Sequence, residues 1–367
     1  MNQAETIAKD FTERANSYDS SCSFVAENYQ QLKQHRFFSM PIPAQFGGGG
    51  ADYQTLCQVV RIIGRHCGST ALSFAMHSHP VAVNVFKALR GDEKGKATVE
   101  KVAANELIIA GTGANDWLQS SGEATTVEGG YRVTAHKRFV SGGPGANVFV
   151  SSAVIGADES GGESEQVIHF AIPFSTEGIS IQDNWRTLGM RGTGSNDVLM
   201  QEVFVPDAAV VVKRPAGQWH PMWDVILPTA MPIIVSCYVG LAEAAVEQAL
   251  KAASGKAFLA AEMGQLHNEL TTAQLALDDM IARNENYQFA PDVGNSDAIL
   301  TRKSIATNAV KNTVELAASI VGGPGFFQGH PMERIIRDVR AMHFHPLPVN
   351  RQHIFSGRRA LAMDPLV

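Results

Sequence analysis

The feature that most constrains this chain is a change of hydrophobic period at two points. Residues 1 to about 105 repeat apolar positions at helical spacing, which puts them on one face of an α-helix. AETIAKDFTERANSYDSSCSFVAENYQQLKQ and YQTLCQVVRIIGRHCGSTALSFAMHSH carry the pattern. PIPAQFGGGG, with two prolines and four glycines, lies between them and must turn. From about 106 to 215 the period shortens. YRVTAHKRFVSG alternates, while VFVSSAVI, VIHFAIPF and DVLMQEVFVP are short, strand-like runs parted by polar or glycine-rich turns. From about 216 the long period returns in CYVGLAEAAVEQALKAA, HNELTTAQLALDDMIARN and SDAILTRKSIATNAVKNTVELAASIVG. No internal repeat links the three parts. The order predicts an α+β protein with an N-terminal helical domain over 1–105, a compact middle β-domain over 106–215 and a C-terminal helical bundle over 216–367.

Composition excludes several classes of function. The net charge is −6, with mixed charges and no basic stripe, which argues against a nucleic-acid partner. The four cysteines, Cys22, Cys57, Cys67 and Cys237, form no CxxC pair and no zinc-type spacing, so no metal site is expected. Without a disulfide framework the expected compartment is a reducing cytoplasm. The first twenty residues are polar and lack the apolar core of a signal peptide. The longest apolar run, Val225 to Val239, contains Pro228 and Pro232 and is too short to span a bilayer, so no membrane partner is expected.

Five motifs follow in order: MPIPAQFGGGGADY, CGSTALSFAMHSH, GGYRVTAHKRFVSGGPGANVFV, LGMRGTGSNDVLMQEVFVP and GGPGFFQGHPMERIIRDVRA. Each is short, but together they cover nearly the whole chain and resemble, in the same order, motifs of the acyl-CoA dehydrogenase superfamily. The resemblance implies that superfamily's fold, with a β-barrel or sandwich in the middle and a four-helix bundle at the end. It also implies a flavin between the β-domain and the bundle, and a homo-oligomer, tetramer or dimer. The matching flavin positions are Asn115 in AGTGAND, Phe139, Val140 and Ser141 in the hairpin, Arg191 and Ser195 before the last strands, and Gly322 and Gly323 in the C-terminal turn.

The chain departs from the dehydrogenase pattern where chemistry is concentrated. Dehydrogenation of a thioester needs a carboxylate at its α-carbon. Counting from Arg337-Asp338, one family position for that Glu is Pro346; the other lies in a stretch with no acid between Asp224 and Glu243. The segment that supplies a pyrophosphate-binding Arg is SGKAFLAAEMGQL, with Lys256 and no Arg, and Ser319 stands where a Gln precedes the Gly-Gly turn. A planar, bidentate guanidinium suits a pyrophosphate better than an ammonium does. FMN is therefore favoured, with FAD as the alternative.

These departures resemble the reduced-flavin monooxygenases of the superfamily, of the dibenzothiophene-desulfurizing type. Their catalytic positions match His77, Ser141 and His345. The resemblance implies reduced FMN from a separate flavin reductase, oxygen activation, and a small apolar substrate. His77, with His79 beside it, could instead be a satisfied structural histidine, and Ser141 a turn residue. His343 and His345 point the same way if their segment is extended. GGPG at 142–145 and at 322–325 could be a plain turn and a plain helix cap. An acyl-CoA dehydrogenase with a displaced base and an inactive flavin-binding member are the alternative functions.

Overall fold

The computed structural model describes residues 1–112, 116–157, 164–364 and 366. The first part holds five helices, α1 (Asn2–Ser21), α2 (Ala26–Gln34), α3 (Tyr53–His66), α4 (Gly68–Ala88) and α5 (Glu93–Asn105). The stretch that reads as one helical pattern up to residue 34 is two helices, because Cys22 adopts a left-handed conformation (φ 52°) and ends α1. α3 and α5 each start at an aspartate cap: Asp52 accepts from the Thr55 N–H at 2.7 Å and Asp92 from the Gly95 N–H at 2.6 Å.

Among the described residues eight strands form one sheet: β1 (Ile109–Gly111), β2 (Gly122–Val127), β3 (Gly130–Lys137), β4 (Val148–Ile155), β5 (Gln166–Pro173), β6 (Ile179–Ile181), β7 (Val198–Pro206) and β8 (Val210–Pro215). Their order is β6-β7-β3-β2-β4-β5-β8, with β1 parallel beside β4. Alternation along β3 turns Val133, Ala135 and Lys137 to the buried face. Lys137 survives there because its ammonium meets the Asp116 carboxylate at 2.8 Å and the Ser120 hydroxyl at 2.9 Å. This buried pair ties loop residues 116–121 to the sheet.

The last part holds α6 (Met222–Ala253), α7 (Ala260–Ala282), α8 (Val293–Val321), α9 (Pro331–Asp338) and α10 (Val349–Ala360). α6 is apolar on almost every face and is the helix around which α3, α4 and α8 pack, so most of it is buried. Among the described residues it is also the helix long and apolar enough to cross a membrane, but its most apolar stretch lies inside the protein. Pro228 and Pro232 do not break it. Pro232 lacks the N–H that would reach the carbonyl one turn back. That carbonyl, of Pro228, instead accepts from the Asn284 amide at 3.1 Å and the Tyr53 hydroxyl at 3.3 Å. Where α3 crosses α6 no side chain fits: a Cβ on Gly64 would lie 2.5 Å from the Cys237 carbonyl oxygen. After α9 the chain continues as a tight helical turn, Val339–Phe344, so His343 is not in an extended segment and does not share His345's direction.

Candidate active site

A cavity of about 460 Å³ lies where α4, the edge of the β-domain, α6 and residues 337–346 meet. Its volume is in the range of small-molecule sites, roughly 300–1,000 Å³. Its walls are mostly apolar, with Leu72 and Met76 from α4, Trp117 and Trp185 from the β-domain, and Trp223 and Ile226 from α6. The Trp117 and Trp223 rings stack with centroids 5.1 Å apart, and the Arg214 guanidinium sits 5.4 Å from the Trp223 ring centre. Among the described lining residues there is no aspartate or glutamate. Pro346 and the α6 residues Ile226, Leu227, Ala230, Met231 and Ile234 line the cavity, so both stretches that lack the dehydrogenase carboxylate face it.

His345 reaches the cavity from the segment after α9. Its Nε2 lies 2.7 Å from the hydroxyl of Tyr238, a fully buried residue of α6. Lys303 of α8 is also buried and donates to the carbonyl oxygens of His345 at 3.0 Å and Leu347 at 2.9 Å. Burial, then the nearby Lys303 cation, push the imidazole down to about 3, so it is neutral at physiological pH. Burial likewise lowers Lys303 to about 8. Neither Tyr238 nor Lys303 carries a sequence signal, because the fold brings them to His345 from distant helices.

Ser141 faces the cavity from the hairpin end after β3. Its Oγ lies 2.7 Å from Ser195 Oγ, which lies 2.6 Å from Thr193 Oγ1, and Thr193 donates to the Met190 carbonyl at 2.9 Å. Ser195 and Phe139 also line the cavity, and Phe139 meets the Trp185 ring edge-on at 5.5 Å.

The structure separates the two α4 histidines. His77 is outside the cavity: its Nε2–H donates to the Phe38 carbonyl at 2.9 Å and its Nδ1 accepts from the Ile109 N–H at 3.0 Å. That arrangement corrects the expectation of His77 as an acid–base group, since both ring nitrogens are consumed and the residue instead bolts α4 to β1. His79 lines the cavity, and burial lowers it to about 4. Residues two apart on a helix point roughly 200° from each other, so only one of the pair can face the site. The stripe Leu72, Met76, His79 was the signal for which one.

The remaining expected flavin contacts divide. Val140 is fully buried in the β-domain core. Arg191 donates through Nε to the Thr187 carbonyl at 2.8 Å, and among the described residues no carboxylate pairs with it. Gly322 and Gly323 lie at the end of α8, away from this chain's cavity, with open space where a Cβ would stand. Asn115 lies outside the described residues.

A helical lead, a β-domain and a helical bundle closing on one mostly apolar cleft, whose polar lining includes hydroxyls, two neutral imidazoles and the Arg337 and Arg340 side chains, define an enzyme of the α+β class. The chain belongs to the acyl-CoA dehydrogenase family, whose N-terminal, middle and C-terminal domains match residues 2–106, 111–203 and 233–348. It is 22% identical to an acyl-CoA dehydrogenase of Bacillus subtilis, over 90% of this chain and 89% of that one. It is 24% identical to the dibenzothiophene monooxygenase of Rhodococcus qingshengii, over 98% of this chain and 92% of that one. Its fold matches a solved structure of KijD3 in complex with FMN and a dTDP-linked amino sugar, with TM-score 0.89 and 21% identity, over 99% of this chain and 93% of that one.

Proposed function

We propose that this protein is a reduced-flavin monooxygenase. The observation that carries this reading is a cavity with no carboxylate among its described lining residues: both places for a dehydrogenase base open onto it, and neither is acidic. The residues present fit a flavin ring. The site offers flat walls at Phe139 and Trp185 and the Ser141 oxygen. A bound flavin would supply the electrons and the atom at which oxygen is activated. Ser141 would hold the ring in register, while His345, with His79 nearby, would provide the polar contact and the proton that decide whether oxygen reaches the substrate. The apolar walls exclude water and favour a small apolar substrate.

FMN is the flavin this reading favours. Ser319 turns its hydroxyl back to the Glu315 carbonyl of its own helix at 3.0 Å, and the exposed Lys256 offers no bidentate fork for a pyrophosphate. Reduced FMN would come from a separate reductase. Phe326, at 88% exposure, and Phe327, at 71%, follow the Gly322–Gly323 turn, and such exposed apolar side chains support a homo-oligomer, tetramer or dimer, in which that turn serves a second copy. Four free thiols support a cytoplasmic location.

Anaerobic mixing of oxidised, flavin-loaded protein with short, branched, long-chain and aromatic acyl-CoAs tests the reading. No bleaching is expected, and reduced FMN with oxygen should yield oxygenated product from an apolar substrate panel. Rapid bleaching by an acyl-CoA, abolished in His345→Ala, would make His345 a displaced dehydrogenase base and overturn the monooxygenase function.

A further inference from the structure

We propose that Lys303 is the positioning residue for His345: its ammonium bridges the backbone carbonyls on either side of Pro346 and so holds the imidazole against Tyr238 at the cavity. The proposal rests on the reading of His345 as the group that delivers the proton, and adds to it the side chain that keeps that group in place.

The bend needs such a bridge. It runs His345-Pro346-Leu347-Pro348, and its two prolines have no N–H. Half of the bend therefore offers no backbone donor, while each buried carbonyl still needs one. Lys303 comes from α8 and donates to the His345 carbonyl at 3.0 Å and to the Leu347 carbonyl at 2.9 Å. An ammonium carries three donors on one nitrogen, which lets it serve both carbonyls at once. The two bonds span Pro346, so one side chain sets the course of the chain through the bend.

The residue type points to this role. Lys303 is 1% exposed, and among the described residues no carboxylate pairs with it. An apolar side chain of similar length would fill the same space without the cost of taking an ammonium out of water. What the ammonium adds is the bridge. His345 is thus held at both ends, its backbone by Lys303 on α8 and its Nε2 by the Tyr238 hydroxyl on α6 at 2.7 Å. α6 and α8 pack along each other, which fixes the distance between the two anchors. The titratable groups that face His345 are Lys303 from α8, Tyr238 from α6 and His79 from α4. Lys303 is the cation among them, and after burial it is the next cause that opposes protonation of the ring.

The test uses the flavin-free full chain with ¹⁵N-labelled histidine. In the unmodified protein His345 should show a single tautomer, set by the Tyr238 contact. Lys303→Met keeps the length of the side chain and loses the bridge. His345 should then become a mixture of tautomers, while the signals of His77, buried elsewhere, stay as they are. Lys303→Arg brings back a cation with several donors and should recover the single tautomer. With reduced FMN, oxygen and an apolar substrate panel, product per oxygen consumed should fall roughly 10–100-fold in Lys303→Met, because a misplacement of about 1 Å can cost on the order of 100-fold. If Lys303→Met has lost its fold, Lys303→Leu, equally without donors, is read in its place. An unchanged tautomer in the folded variant overturns the proposal, and so does an equal disturbance of His77 and His345, which would mark Lys303 as a plain core residue. A tautomer lost in the variant, with no oxygenated product from the unmodified protein, supports the bridge and overturns the monooxygenase reading instead.

Discussion

The Tyr238 hydroxyl lies 2.7 Å from Nε2 of His345, and no other acceptor takes its proton among the described residues. A buried hydroxyl without an acceptor would leave its proton unsatisfied, so Tyr238 donates and Nε2 accepts. The imidazole hydrogen is then on Nδ1. A neutral His345 with that tautomer presents Nδ1–H as its donor, while the Tyr238 hydroxyl, whose pKa burial pushes up, keeps its proton and fixes the ring's orientation.

Tyr238→Phe should release this tautomer. In ¹⁵N-labelled protein, His345 is expected as the pure Nδ1–H form at neutral pH, and the variant as a mixture. Product formed per oxygen consumed should fall roughly two- to tenfold, the worth of one hydrogen bond. Finding His345 protonated on Nε2 in the unmodified protein would reverse the assigned direction of the bond.

His345→Ala should leave FMN affinity nearly unchanged and uncouple oxygen consumption from product. A positioned acid–base group contributes about 10²–10⁴-fold, so the product yield should fall on that scale. A normal yield per oxygen would show that His345 is structural.

The α4 histidines should separate by phenotype. His77→Ala leaves the buried Phe38 carbonyl and Ile109 N–H without partners and opens a void, costing about 2–4 kcal/mol of stability. His79→Ala breaks no such pair and should change turnover with little effect on stability. Urea denaturation beside oxygen-coupling measurements on both variants checks this, and equal destabilisation would contradict the placement of His79 at the cavity.

Acid should destabilise the fold well before its carboxylates titrate. Burial lowers His77 and His79 to about 4 and His169 and His345 to about 3, all below the ordinary 6.5. The native state refuses protons that the unfolded chain binds below about 6.5, so stability is full above that pH and falls towards pH 4. Each group should cost on the order of 1–2 kcal/mol at pH 5. Asp338, raised by burial to about 6, acts in the opposite sense, since its native carboxyl takes a proton more readily than in the unfolded chain. Four histidines outweigh one aspartate, and melting curves from pH 7.5 to 5 should show a steady fall in Tm. A flat profile would mean these imidazoles are not buried neutral.

The sequence by itself determined the architecture. Period and breakers mark helices, strands and helices, because the side-chain repeat of each element is local and must match the face it buries. It also showed no acid at either family position for a carboxylate, and it pointed to Ser141 and His345, which the structure places at the cavity. Tertiary structure decided the rest. Pro228 and Pro232 looked like breaks in an apolar run, and only Asn284 and Tyr53, folded in from other segments, let α6 continue through them. His77 and His79 look alike in the sequence, and the choice fell to which side of α4 meets the cavity. Tyr238 and Lys303 reach His345 from separate helices, and the line from Ser141 to Met190 exists only once the chain turns back on itself. Hydrogen-bond direction and imidazole charge depend on burial and on partners remote along the chain, so no local pattern of residues could encode them.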